Sequence, residues 1–372
     1  MKRNLIITIV VLVILSSGYI FFQSSFADFI GGKAFLLITT NASTTVSLND
    51  KVVGTTPYSA KDLPVKDYLV KLVSDVLIAT SAPSATPSAT KITWESNIRV
   101  TPNTQTVINQ EIGPLSIFSS GEILSLEKGT GLTVITKPEE VKVNLDGNDL
   151  SVSPISASAT VGNHKLKLSK TGYFSREITV NVPNGFRLII NAQLALNPLE
   201  SEQKAEGNEK VTLYRFSTDN FTLLDDPQSW ASGIWFFQEK YASASPRFDL
   251  ILDSNGKGYY SSSTDWAKKQ SEKKAVIIGY LSKTTESGLS EAAKKKYEEI
   301  KNSFYPIAKV KISSTPTGWL NVRGGASQSN SIITKVNPGE IYELLEEKTG
   351  WYKIKLSDGK EGWISSQYAT KI

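Results

Sequence analysis

The sequence predicts a mainly β chain: an N-terminal transmembrane helix, two β-sandwich modules, a small α+β segment and a C-terminal β-barrel. Three observations predict it. Short runs alternate apolar and polar residues along most of the chain, and the pairs Asn49-Asp50, Asp146-Gly147, Pro338-Gly339, Thr349-Gly350 and Asp358-Gly359 punctuate them at hairpin spacing. One such pattern occurs twice, over 34–112 and again over 131–196. Helical spacing gathers between residues 211 and 305, where strand-like runs also persist.

Composition excludes much chemistry before any motif is considered. There is no cysteine, so no disulfide, thiolate nucleophile or cysteine-based metal site can form. The single histidine, His164, would have to serve any Ser-His-Asp triad alone, and it opens a strand in GNHKLKL with no partner near it in sequence. A structural role for His164 is therefore expected, with no metal and no cofactor. The net charge of +5 is spread along the chain, which suits an anionic envelope surface and gives no nucleic-acid footprint.

At the amino terminus Met1-Lys2-Arg3 precedes an uncharged run from Leu5 to Phe22. At about 1.5 Å per residue such a run reaches roughly 27 Å, near the thickness of a bilayer's hydrocarbon core. Residues 1–30 are thus expected to be a membrane anchor, with the amino terminus cytoplasmic and the rest of the chain outside. Ser25-Phe26-Ala27 also suits a cleaved signal peptide, ending at Ala27, but the apolar run is longer than a signal core needs. Either outcome exports the chain, as a single-pass membrane protein or a secreted one.

The first β copy, expected over 31–130, begins LLITTNASTTVSLNDKVVGTTP at Leu36, and the second, over 131–196, begins LTVITKPEEVKVNLDGNDLSVSP at Leu132. Each runs strand, turn, strand, a two-residue turn, Thr56-Pro57 or Ser153-Pro154, then a strand alternating Tyr68, Val70, Leu72 or His164, Leu166, Leu168. Closing hairpins follow at 92–112 and 171–194, so tandem antiparallel sandwiches are expected. This order resembles the PEGA family. The second copy has its Asp146-Gly147 turn and Gly172-Tyr173 pair, where the first has Asn49-Asp50 and Thr93-Trp94. The resemblance implies surface or periplasmic β modules with binding or scaffold roles and no shared catalytic residues. Within the first copy, residues 74–90 are rich in Ser, Thr, Ala and Pro and are expected to form a protruding inserted loop, with glycosylation or partner binding as the less economical reading.

Residues 197–210 are polar and charged, and a linker is expected there. The next segment, 211–305, holds 16 of the chain's 35 aromatics, which demands a packed core or an aromatic-lined surface. Strands are expected at 211–216, 247–253 and 275–281, and helices at 227–241 and 289–304, which mix in an α+β or α/β domain. Trp230, Trp235, Phe236, Phe237, Tyr259, Tyr260 and Trp266 suit a core better than a sugar platform. Asp225, Asp226, Glu239, Asp249, Asp253 and Asp265 are the acids from which an enzyme would have to draw a catalytic pair. DSNGKG at Asp253 starts like a calcium loop but has Thr264 where the closing Glu should stand, so a strand-connecting turn is expected.

The last module, 312–372, carries in order GWLNVRGG from Gly318, PGE from Pro338, GWYKI from Gly350, DGKEGWI from Asp358 and Tyr368. That series resembles the bacterial SH3 (SH3b) domain, with Gly325-Ala326 where the family often has Gly-Pro. The resemblance implies a small barrel that binds cell-wall peptides or glycans, or serves as a spacer. Arg323, Trp351, Trp363 and Tyr368 are the candidate ligand residues, the aromatics as stacking rings and Arg323 as a bidentate carboxylate partner. For Trp351 and Trp363 closing the barrel core is the favoured reading and the ligand role the alternative, while Arg323 and Tyr368 suit either role equally.

Two functions are weighed. The favoured one is a membrane-anchored, non-catalytic envelope protein that presents a binder of peptidoglycan or surface glycan on the tandem modules, with envelope proteins as the other class of partner. The alternative is a cell-wall hydrolase or other carboxylate-dependent enzyme with its active site in 211–305.

Overall fold

The computed structural model describes residues 33–81, 89–207, 210–241, 246–261, 264–304 and 308–372. The expected anchor, Leu5 to Phe22, lies outside the described residues, and among those described no helix is long and apolar enough to cross a membrane.

The two β copies correspond strand for strand. In the first, Tyr58–Leu63, Ala34–Thr40 and Gln105–Glu111 pack over Lys51–Thr55, Thr45–Leu48, Asp67–Leu77 and Ala89–Arg99. In the second, Ile155–Ala157, Leu132–Lys137 and Phe186–Gln193 pack over Asn148–Val152, Lys142–Leu145, Gly162–Ser169 and Arg176–Val182. Their cores gather the inward residues of both layers, Leu36, Ile38, Val70, Leu72 and Ile108 in one and Val134, Val143, Leu166, Leu168 and Ile190 in the other. The expectation of purely antiparallel sandwiches is corrected in one respect. The first and last strands of each copy pair in parallel, Phe35 with Gln105 and Leu132 with Leu188, because both run the same way along one layer.

The turn chemistry repeats as well. Asn49 and Asp50, like Asp146 and Gly147, take positive φ at both central positions of a two-residue hairpin, the conformation that matches strand twist. Each turn then grips the third strand. Leu69 N donates to Asn49 Oδ1 at 2.8 Å, and Lys165 N donates to Asp146 Oδ1 at 2.7 Å. The hydroxyl before each proline is internal: Thr56 Oγ1 accepts from Thr44 N and meets Thr40, while Ser153 Oγ accepts from Val141 N and meets Thr136. These motif residues therefore hold the modules together.

His164 shows the same division of labour. Its Nδ1 meets Asp146 Oδ2 at 2.6 Å and its Nε2 meets the Thr160 carbonyl at 2.8 Å, so both ring nitrogens face acceptors and the imidazolium is favoured. The bond to Asp146, then the Thr160 carbonyl, raises the His164 pKa, and the His164 bond lowers that of Asp146. In the first copy Tyr68 stands in this place and its hydroxyl donates to the Pro64 carbonyl at 3.0 Å, opposite a neutral Asn49. A group whose folded pKa is raised contributes stability below its unfolded value of about 6.5 and loses it as pH rises through the folded value. Melting temperature should accordingly fall from about pH 6 to 9 more steeply in the native chain than in an Asp146→Asn/His164→Tyr variant, which copies the first module. Parallel curves would refute the pairing.

Two features of the arrangement were not visible in sequence. Strand Ser120–Lys128 lies between Gln105–Glu111 and Phe186–Gln193, so both copies share one seven-stranded sheet. Ile123 packs against the first core and Leu124 against the second, which puts the two partner layers on opposite faces of that sheet. Buried Glu122 on this strand pairs with Arg176 and accepts from Asn109 Nδ2 at 2.9 Å, tying the copies together by a polar link.

The third unit corrects the linker and decides between the α+β and α/β arrangements expected of it. Gln203–Gly207, inside the expected linker, is an edge strand paired with Val211–Thr218. Next to it Val211–Thr218, Val276–Lys283 and Leu250–Leu252 run parallel, with Gly258–Tyr260 completing the far edge. Helix α1 (Phe221–Asp225) and α2 (Pro227–Lys240) follow the first parallel strand, α3 (Trp266–Ser271) precedes Val276–Lys283, and α4 (Glu291–Phe304) follows it. Helix α2 covers one face with Trp230, Ile234 and Phe237, and α4 covers the other with Ala293, Tyr297, Ile300 and Phe304. This is an α/β layer arrangement, and its parallel strands are apolar on both faces because both are covered.

This unit is also docked on the β modules. Phe118, in the turn before the shared strand, is fully buried against α2, and a Cβ at Gly233 would come within 2.4 Å of its ring. Phe174 stacks near Phe237 and Tyr241, with ring centroids 4.4 and 4.8 Å away. The expected loop at 74–90 is corrected too. Residues 74–77 and 89–90 extend the hairpin as strand, Ala79 N donates to Ser232 Oγ at 2.9 Å, and Tyr260 N donates to the Thr80 carbonyl at 2.8 Å. Residues 82–88 of that stretch lie outside the described residues.

Candidate functional site

The carboxy-terminal unit begins slightly before residue 312. Its strands are Lys309–Ile312, Leu320–Arg323, Ile332–Val336, Ile341–Lys348, Trp351–Lys355, Glu361–Ser365 and Ala369–Lys371, joined in one sheet around Val310, Val322, Val336, Ile354 and Ile364. Successive side chains of a strand point to opposite faces. With Val322, Ile354 and Ile364 inward, their neighbours Arg323, Trp363, Lys353 and Trp351 must point outward.

Register brings them together. Arg323 opposes Trp363, Trp363 opposes Lys353, and Trp351 opposes Ser365 on one side and Lys348 on the other. Neither tryptophan is among the side chains that form the barrel's inner cluster. Trp363 is nevertheless buried, with Lys348 Nζ 4.8 Å from its ring centroid, while Trp351 is half-buried. Arg323 Nη1 donates to the Asn330 carbonyl at 2.7 Å, which fixes the loop between its two strands. Tyr368 departs from the other candidates: it sits in a 3-10 turn, Ser366–Tyr368, and packs against the core.

One residue of this face was missed. Trp319 is 40% exposed, and Lys335 Nζ lies 4.1 Å from its ring centroid. The hydroxyls of Thr315 and Thr317 both donate to its carbonyl, at 3.0 and 2.9 Å, which sets its backbone. Lys335 opposes Asn321, whose Oδ1 is buried without a partner among the described residues. The signal was present in GWLNVR, because Trp319, Asn321 and Arg323 alternate against inward Leu320 and Val322. The face thus offers two indole rings, Trp319 with Lys335 beside it and Trp351 opposite Lys348, while Trp363 is buried against Lys348. Such a surface can stack on sugar rings and pair with carboxylate or phosphate groups.

The acids weighed as a catalytic set have other work. Asp226 and Asp265 cap α2 and α3, accepting from Ser229 N at 3.1 Å and Lys268 N at 2.9 Å. Asp253 accepts from Asn255 N, Lys257 N and the Tyr259 hydroxyl, all at 2.9 Å, and so builds the hairpin turn expected of DSNGKG. This contact and burial push the Tyr259 pKa far up, burial contributing most. Asp249 is buried and accepts from Lys269 Nζ at 2.7 Å and Ile277 N at 3.0 Å, and Glu239 pairs with Arg247 at 3.6 Å. Asp225 ends α1. Trp230, Trp235, Phe237, Tyr259, Tyr260 and Trp266 are buried and Phe236 half-buried, so the aromatic segment is core, as expected, and no sugar platform. Among the described residues no three His, Asp or Glu side chains are placed to hold a metal.

Comparison with known proteins identifies two of the units. The PEGA domain model matches residues 130–197, and the bacterial SH3 domain model matches 318–370. The chain carries a PEGA domain and a bacterial SH3 domain. The first β copy, with the same strand order, shares the PEGA architecture described above. "Probable endopeptidase p60" of Listeria monocytogenes is 38% identical over 73 residues, 19% of this chain and 15% of that protein. Its namesake in Listeria innocua is 40% identical over 58 residues, 15% of this chain and 12% of that protein. A Bacillus subtilis protein, YrvJ, named for an N-acetylmuramoyl-L-alanine amidase, is 45% identical over 49 residues, 13% of this chain and 9% of that protein. These matches fall on the SH3 region alone, and the chain spans less than a fifth of each relative's length.

Proposed function

We propose that this chain is a non-catalytic cell-envelope protein that holds wall polymer on the outer face of its SH3 domain. The observation that supports the proposal is that Trp319, exposed, and Trp351, half-buried, stand outside the barrel's inner cluster, with Lys335 beside the first ring and Lys348 opposite the second. The ligand class that fits is a glycan or peptide with anionic groups, stacked on the indoles and paired with Arg323 or Lys335. The name of one relative supports this choice, since a protein that shares this module is named "Putative N-acetylmuramoyl-L-alanine amidase YrvJ", and muramic acid is a sugar of peptidoglycan. The rest of the chain serves as a rigid arm: two PEGA-type copies share a sheet and the α/β unit is docked on them. Leu5 to Phe22 would tether this arm to the membrane with the bulk of the chain outside.

A non-catalytic role is proposed because the acids that a hydrolase would need in 211–305 cap helices, build a turn or pair with cations. The full chain should sediment with purified insoluble peptidoglycan and release no soluble fragments from it. Release of muropeptides would make the α/β unit an enzyme, and a chain left in the supernatant would remove wall binding.

A further inference from the structure

A cleft in the α/β unit lies apart from the SH3 face. It has a volume of about 370 Å³ and opens at the amino-terminal ends of strands Leu250–Leu252 and Val276–Lys283, between α3 and the segment that precedes the first of them. Its charged lining is Arg247, Lys268, Lys269 and Lys274 against Asp249 and Asp265. Both carboxylates are already engaged. Asp249, with its side chain 6% exposed, binds Lys269 Nζ at 2.7 Å, Ile277 N at 3.0 Å and the Thr264 hydroxyl at 3.2 Å. Asp265 is the cap of α3 through Lys268 N.

The lining itself carries four cations against two carboxylates, with Glu239 and Glu272 pairing to Arg247 and Lys274 from outside it. Lys269 is consumed by Asp249, which leaves Arg247, Lys268 and Lys274. Arg247 meets Glu239 at 3.6 Å and Lys274 meets Glu272 at 2.5 Å, and in each pair both side chains are more than two-fifths exposed. Exposed pairs of this kind are worth little and exchange readily for a better anion. Two ammonium groups act as point charges and the guanidinium as a planar fork, a combination that suits the oxygens of a phosphate dianion. The cleft is of a size for a small anion and too small for a folded partner.

We propose that this cleft binds the phosphate group of a small molecule, with Arg247, Lys268 and Lys274 as its ligands. Isothermal titration calorimetry on the full chain tests it, with sodium pyrophosphate as the probe and sodium citrate and sodium chloride at matched ionic strength as comparisons. Pyrophosphate should bind saturably and at least tenfold more tightly than citrate. Arg247→Met and Lys268→Met should each weaken it several-fold, Lys268→Arg should retain it, and Lys294→Met, which removes the same charge from α4, should leave it unchanged. All three positions are on the surface, and an unaltered melting temperature verifies that each variant is folded. Lack of saturation, citrate binding as tight as pyrophosphate, or equal weakening by Lys294→Met overturns the proposal.

Discussion

Replacing Phe118 with alanine should cost about 3–5 kcal/mol of stability, the usual range for emptying a fully buried aromatic site. Its ring is wholly buried, meets Phe237 edge-on at a centroid distance of 6.2 Å, and fills the space left by the missing side chain of Gly233. The helix backbone around Gly233 cannot collapse into the cavity without moving Trp230 and Phe237, so relaxation recovers little. The loss would also fall on the joint between units, because the same cluster contains Ala79 and Ala195 from the β modules and Phe216, Ile234 and Phe248 from the α/β unit. Denaturant unfolding should show the α/β unit melting at lower denaturant than the β modules, with faster proteolysis between residues 197 and 210. Phe118→Leu, which keeps much of the volume, should cost less than half as much. A change below about 1 kcal/mol in Phe118→Ala would mean the units are held by something other than this cluster.

The sequence disclosed the β modules because strand period, turn chemistry and repetition all agreed there. Asn49-Asp50 and Asp146-Gly147 sit where a positive φ is required, and Leu36, Ile38, Val70 and Leu72 alternate inward as expected. Strand Ser120–Lys128 escaped because it serves two cores. Ile123 and Leu124 are adjacent apolar residues with opposite destinations, which erases the period-two signal. Gln203–Gly207 escaped for the reverse reason: as an edge strand with every residue exposed, it has the composition of a linker. The sequence left α+β and α/β both open because buried parallel strands are apolar on both faces, and a run such as Val276 to Leu281 does not announce its direction.

Within the barrel, three of the four candidate residues could be placed by parity once Val322, Ile354 and Ile364 were recognised as inward. Tyr368 could not, since a 3-10 turn breaks the alternation that would have assigned it a face. Trp319 was overlooked because it precedes its strand by one residue. The docked hairpin at Ala79 and Thr80 was hidden by composition, as Ser, Thr, Ala and Pro give no apolar periodicity even where the backbone pairs.

The central claim is that the outer face of the SH3 domain retains the chain on wall polymer, and a Trp319→Ala/Trp351→Ala variant tests it most directly. Both rings lie outside the barrel core, so the variant should fold as the native chain does. An aromatic anchor at the centre of an interface is typically worth about 2 kcal/mol, which is roughly thirtyfold in affinity. The measurement is the dissociation constant of the full-length chain on insoluble peptidoglycan, with Phe221→Ala, another exposed aromatic at 77%, as the comparison. The double variant should bind at least thirtyfold more weakly while Phe221→Ala binds as the native chain does. Native affinity in the double variant would place the wall-binding surface elsewhere and contradict the assignment of this face.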